Sequence, residues 1–395
     1  MPIPSQPTTN MSLGPSLGPT NRSISVEHGG SPPFSMNAYR RGNLVADHPI
    51  NASIPTTASG TRNMSNYNGS SIVLRYTIAA NTQNFNLLTY ATSPARVGTT
   101  KSQGYINDGR YTAGQPGFGI EVLINPGVTI GSASGTQSAF VTGVNEPTTG
   151  WHPTVQIVIR NAGNIVGAGG AGGSFNPGAN GRAVSLSQPG FSGGTAIDAQ
   201  RTVVIINGPE GATNSFPGGK PAGTFAGGGG GGGAGEPVYD IINDPKGFPQ
   251  DVWAGGGGGG GGAGTNTAPN TGGAGGTRVP VTIVNAPLGQ QAVPGQAGTR
   301  TAGGQGGIGY RSFGGPPGPQ AQTFHPFSSG TGGAGGAIAT AGNAGTARTV
   351  PAPSVPSLGT PFGGSAGGAA GFYAVGNPNI TWQGTPQGTR QGQVS

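Results

Sequence analysis

Hydrophobic positions in this chain come in short bursts that alternate with polar ones, and glycine separates the bursts. Ser71-Ile72-Val73-Leu74-Arg75-Tyr76-Thr77-Ile78 and Phe85-Asn86-Leu87-Leu88-Thr89-Tyr90 are rich in β-branched and aromatic residues and bounded by turn formers, which predicts strands. Ile120-Glu121-Val122-Leu123-Ile124 stops at Asn125-Pro126-Gly127, and Val155-Gln156-Ile157-Val158-Ile159-Arg160 stops at Asn161-Ala162-Gly163. Alternation along these runs predicts one buried and one exposed face. Helical periodicity is nearly absent.

A loose repeat follows, in which a strand meets an Asn-containing turn, a second short strand and then glycine. Val155 to Gly173 reads VQIVIRNAGNIVGAGGAGG, Arg201 to Gly208 reads RTVVIING, and Val279 to Asn285 reads VPVTIVN. Recurrence of this kind predicts stacked units whose strands bury one another. The expected fold is all-β with almost no α-helix: a strand-rich N-terminal half, either a sandwich or an irregular β-solenoid, followed by a glycine-rich body of packed polyglycine-II-like helices and loops. The expected organisation is an extended docking arm over 1–69, a β-rich stem over 70–166, a glycine-rich domain with inserted loops over 167–376, and a C-terminal strand and tail over 377–395.

Composition sharpens this picture, because 84 of 395 residues are glycine where roughly 7% is ordinary. Only 7% of residues are charged, too few for the charge-swollen kind of disordered chain. Glycine tracts can instead pack without side chains. A three-residue-per-turn polyglycine helix points its N–H and C=O groups outward, where they can pair with neighbouring helices. The opposing cost is the backbone entropy glycine loses, roughly 0.5–1 kcal/mol per residue relative to alanine.

Chemistry is sparse. There is no cysteine, so disulfides and thiolate zinc sites are excluded, and His28, His48, His152 and His325 are scattered, so no metal or other cofactor is expected. Gly167-Ala168-Gly169-Gly170-Ala171-Gly172 satisfies G-x-G-x-x-G but leads into Phe175-Asn176-Pro177-Gly178 instead of a helix, which argues against dinucleotide binding. The +7 net charge is spread along the chain, so nucleic acid is not an expected partner. No run approaches the ~18 apolar residues of a membrane span, and the N-terminus lacks a signal-peptide core, predicting folding in the cytoplasm without a secretory signal or membrane insertion.

Glu236, Asp240, Asp244 and Asp251 lie between the two longest glycine tracts and read as a solvated acidic loop instead of a catalytic pair; no enzyme activity is expected. The same loop concentrates Tyr239, Asp240, Phe248 and Trp253, which either bind a partner or cap the tracts. Tyr310, Phe313, Phe324, His325 and Phe327 form a second candidate set.

The VQIVIRNAGNIVGAGGAGG unit, the AGGGGGGGAG and AGGGGGGGGAG tracts, and the ending Asn379-Ile380-Thr381-Trp382-Gln383-Gly384 with Gly388-Thr389-Arg390-Gln391-Gly392 resemble glycine-rich tail fibre and receptor-binding proteins of tailed bacteriophages. The resemblance implies a noncatalytic virion tail adhesin whose glycine helices carry receptor-contacting loops. It implies further tail proteins as partners of the N-terminal arm, a homo-oligomer with the homotrimer favoured, and a host surface polysaccharide or outer-membrane protein as receptor. A structural fibre, spike, baseplate or decoration protein without receptor contact is the alternative.

Overall fold

The computed structural model describes residues 11–12, 22–24, 28, 32–33, 35–57, 64–67, 70–98, 101–102, 104–174, 188–207, 223–235, 238–243, 249–254, 259, 261–265, 289–290, 293–308, 311–312, 330–347, 349, 364–383 and 389–395. The strand Val279–Asn285 expected from the repeat lies outside them.

The β-branched runs wind into a three-sided solenoid, each turn giving one strand to each of three sheets. The turns are Val73–Ile78, Thr82–Gln83 and Phe85–Asn86; then Gly119–Ile124, Thr129–Gly131 and Ser138–Val141; then Gln156–Asn161, Asn164–Val166 and Thr195–Asp198. The fourth turn is Val203–Ile206, Thr224–Ala226 and Phe372–Val375, and the last is Ile380–Gln383, Thr389–Gln391 and Gln393–Val394. Pairing between turns is parallel and in register, so like side chains stack. One inward ladder runs Tyr76, Val122, Ile159, Ile205, Trp382, and a second runs Ile130, Ile165, Phe225, in register with the exposed Arg390 of the last turn. A third runs Phe85, Phe140, Ile197, Ala374, Val394. The apolar members of these ladders form the main core, burying about 1.5–3 kcal/mol worth of apolar surface for each large side chain.

Two expectations are corrected. The strand read through Tyr90 ends at Asn86, and Leu87–Thr92 is a short α-helix. Asn86 caps it by accepting the Thr89 N–H at 3.0 Å, the standard role of Asn at a helix start. Leu87 and Ala91, on one side of this helix, cover the first turn of the solenoid. The strand Gly119–Ile124 is buried on both faces because residues 35–57 lie over the outer face of its sheet. Tyr39, Val45 and Ile54 of that segment form a second apolar cluster with Ile24 and Tyr67.

The glycine-rich body leaves the solenoid between the second and third sheets, from the third turn over 167–194 and from the fourth over 227–371. Its segments lie side by side and pair through the main chain. Residues 227–235 are surrounded by 167–173, 188–194, 261–265, 330–336, 339–346 and 364–371. Gly228 and Gly231 donate to Gly194 and Phe191, Gly229 donates to Ala263, and Gly230 and Gly233 donate to Thr340 and Asn343. Carbonyls of the same segment accept from Gly170 and Gly173, from Gly333 and Gly336, and from Ser365, Gly368 and Gly371. Each neighbour therefore recurs every third residue. Over 227–233 every direction around this segment is occupied by backbone, which is why that stretch is unbroken glycine. Peripheral segments need glycine only where they face inward, as at Gly342 and Gly345 or Gly364 and Gly367, where a Cβ would strike a neighbouring carbonyl.

Candidate functional site: the outer rim of the glycine body

The direction of each segment defines the two ends of the body. Residues 167–173 lead away from the solenoid and 188–194 return to it; 227–235 lead away and 261–265 return, ending where Thr265 Oγ1 donates to Val166 O at 2.9 Å and accepts the Ser132 N–H at 3.1 Å. Thr265 is fully buried, so the hydroxyl pins this end of the body to the second and third turns of the solenoid. The tight turns at 299–302 and 337–340 lie on this inner side.

The segment 364–371 also returns to the solenoid, at Phe372. The remaining segment ends lie at the opposite rim, where they flank the sequence stretches 175–187, 236–258, 309–329 and 347–363 and, at Val293, the end of 266–292. Small hydroxyl side chains stitch the rim together: Ser365 Oγ donates to Gln188 O and accepts the Ala234 N–H, both at 2.8 Å. Thr331 and Thr346 pair hydroxyl to hydroxyl at 2.9 Å, with the Thr346 N–H on Thr331 O. The Val293 N–H donates to Ile308 O at 2.8 Å, and both side chains are exposed.

Between the central segment and 261–265, Val238–Asn243 and Pro249–Ala254 pair as an antiparallel hairpin. The stretch read as an acidic loop is thus a β-ribbon. Its register sets Tyr239 across from Trp253, while Asp240 falls one position out of step, opposite Val252, and Ile241 opposes Asp251. Phe248, Glu236 and Asp244 lie outside the described residues, as do Tyr310, Phe313, Phe324, His325 and Phe327. Gln290 and Arg311 pair across a second short antiparallel ribbon.

Polar groups elsewhere have structural partners. His28 bonds Ser70 Oγ through Nε2 at 3.1 Å, and His152 Nδ1 lies 2.8 Å from Thr154 Oγ1. Arg201 is buried with its Nη2 donating to Val155 O, and burial lowers its pKa to about 10. Sequence reasoning missed one cluster, formed by Glu121, Arg75, Arg160 and Tyr105 under the segment 35–57. Glu121 Oε1 receives Arg75 Nη2 at 2.8 Å, and its Oε2 lies 3.3 Å from Arg160 Nε and accepts from the Tyr105 hydroxyl at 3.2 Å. Burial drives the Tyr105 and Tyr76 hydroxyls well above the usual tyrosine range. A lone Glu in the run Gly119–Ile124 and a lone Arg in Gln156–Asn161 were the available signal. Among the described residues no group of three or more His, Asp or Glu comes together as a metal site, and no helix is long and apolar enough to cross a membrane.

A family model described as phage tail fibre adhesin Gp38 matches residues 73–395. No curated protein sequence matches the chain. Among solved structures, the crystal structure of the gp37-gp38 adhesin tip complex of the bacteriophage S16 long tail fiber is similar. Identity is 17% over 86% of this chain and 89% of that one, with a TM-score of 0.40.

Proposed function

The chain belongs to the phage tail fibre adhesin Gp38 family, and from this premise we propose that it meets its receptor through the outer rim of the glycine body. It is a receptor-binding component of the virion tail. The proposed reading is noncatalytic: the solenoid is a stem, the glycine body is a platform of polyglycine-II-like helices, and the connectors at the rim make contact. The observation that carries it is directional. The long connectors 175–187, 236–258, 309–329 and 347–363 leave and re-enter the body at the rim facing away from the solenoid, whereas 208–222 joins two solenoid strands and the run between Thr265 and Val293 starts at the inner side.

Within the rim, the ribbon Val238–Ala254 is the proposed principal contact. Its register opposes an aromatic pair, Tyr239 and Trp253, and such side chains bring large contact area at low entropic cost. The receptor is proposed to be a host surface polysaccharide or outer-membrane protein, and other tail fibre proteins are proposed partners through the N-terminal arm. A homotrimer is the assembly to test by sedimentation.

Replacing Tyr239 through Trp253 by a short linker tests the reading. The variant should melt as the parent does, because the glycine pairing is untouched, and should lose binding to host cells. Undiminished cell binding by a folded variant would remove this ribbon from the contact surface and move the assignment to the stretch 309–329.

A further inference from the structure

We propose that residues 35–57 form an acid-released latch on the solenoid, docked while His48 is neutral and undocked when that imidazole takes up a proton. The inference is independent of where the receptor binds. It concerns residues that precede the family match at Val73.

Polar contacts tie the latch to the solenoid side: Arg160 Nη2 donates to Asp47 O at 3.1 Å, and Asn51 donates to Ser71 O at 3.1 Å and accepts the Ser71 N–H at 2.9 Å. A bond from Asn51 to Ala46 O at 3.2 Å braces the latch internally. Against the sheet its apolar contact is Ala46 and Ile50 on Val73 and Tyr105, while Tyr39, Val45 and Ile54 cluster with Ile24 and Tyr67. Such interfaces open at lower cost than the core beneath them.

At its centre sits the His48 ring, 1% exposed. Nδ1 accepts the Ile50 N–H at 3.2 Å, and Nε2 lies 3.2 Å from Ile120 O. An acceptor on one nitrogen and a carbonyl at the other define a neutral ring with its proton on Nε2. Gly119 makes the seat possible, since a Cβ there would lie 3.0 Å from Nδ1 and 2.8 Å from Val73 Cγ2.

A second proton would occupy Nδ1, ending the bond from Ile50 and setting one N–H against another. The surrounding charges offer no relief. From the sheet, the site is faced by Arg160, Arg75, Glu121 and Tyr105; on the latch itself stand Asp47 and Arg41. Glu121 is already shared by both arginines and the Tyr105 hydroxyl, and Asp47 Oδ1 is 3.3 Å from Arg41 Nε. Burial, opposed by the bond to Ile120 and reinforced by Arg160, pushes the His48 pKa down to about 3.

The sign of the linkage follows. An undocked His48 titrates near ~6.5, so docking is at full strength above that pH and weakens as pH falls toward about 3. Across this window each pH unit lowers the docking constant about tenfold. Between full strength, well above pH 6.5, and pH 4.5 the loss is about 100-fold.

Hydrogen exchange on the full chain, corrected for the intrinsic pH dependence of amide exchange, tests this. Protection of the amides of Ile50, Asn51 and Ala52 should fall about tenfold per unit below pH 6.5, while amides of 227–235 stay protected. His48→Gln should flatten that slope whatever its protection at neutral pH, and Gly119→Ala should release the latch at neutral pH. A parent slope of zero, a slope retained in His48→Gln, or parallel loss across the glycine body would each overturn the proposal.

Discussion

Substituting Gly231 by alanine tests whether the glycine body is a packed solid. A Cβ at Gly231 would stand 2.5 Å from the Ala171 carbonyl carbon and 3.0 Å from Gly170 O, and closer still to Ala171 O. Comfortable carbon contacts begin near 3.5 Å, and the opposing atoms are backbone with no rotamer to change. Residues 167–173 would have to retreat by more than about 1 Å to restore that separation. That movement stretches the Gly170 and Gly173 bonds to Gly229 and Gly232, now 2.9 and 2.8 Å, beyond hydrogen-bonding range. Two buried N–H groups left without acceptors cost about 1–3 kcal/mol each, so the expected destabilisation is about 2–6 kcal/mol. In a slack tract the same substitution would stabilise by about 0.4–1 kcal/mol through the unfolded chain. The two outcomes differ in sign, so denaturant titration followed by circular dichroism decides between them. Gln305→Ala, on the exposed side of 302–308, is the control and should move stability by no more than about 0.5 kcal/mol. A Gly231→Ala protein as stable as its parent, or more so, would refute the account of the body given above.

Glu121→Gln should destabilise by about 3–5 kcal/mol in equilibrium unfolding, because Arg75 and Arg160 lose the carboxylate that neutralises them in a buried setting. Thr265→Val removes the hydroxyl between Ser132 and Val166; a loss of about 1–3 kcal/mol is expected, read as faster amide exchange in 261–265. Arg390 stands in register with Ile130, Ile165 and Phe225 on the last turn, where it is exposed, with its guanidinium 4.8 Å from the Trp382 ring centre. Charges at a sheet edge discourage strand pairing with another copy. Arg390→Val should raise association above the parent state in sedimentation velocity, and Arg390→Lys should not.

The strands were legible because β-branched residues cluster in them, and the choice of a solenoid follows from like residues recurring at the same place in each turn. Ile130, Ile165 and Phe225 illustrate it. The helix Leu87–Thr92 was not legible, since Leu-Leu-Thr-Tyr without charges satisfies a strand pattern as well as a helical one, and only the Asn86 cap distinguishes them. Burial of both faces of Gly119–Ile124 was hidden because its cover, 35–57, carries no periodic signal. At the rim, the aromatic content of 236–253 was visible, but its acidic residues and its place between two glycine tracts read as a loop. The pairing of Tyr239 with Trp253 depends on strand register, which composition does not encode. That connectors should emerge at one end depends on which segments neighbour one another, information absent from tracts of identical residues.

The three-residue recurrence of partners around 227–235 constrains how this gene product can change in length. Adding one glycine shifts everything downstream by one place in that three-residue pattern, so every later amide faces the wrong neighbour. Adding three restores each amide to its former partner one step along. Insertions and deletions in the tract are therefore tolerable only in triplets of residues, a frame imposed by geometry on top of the one imposed by codons.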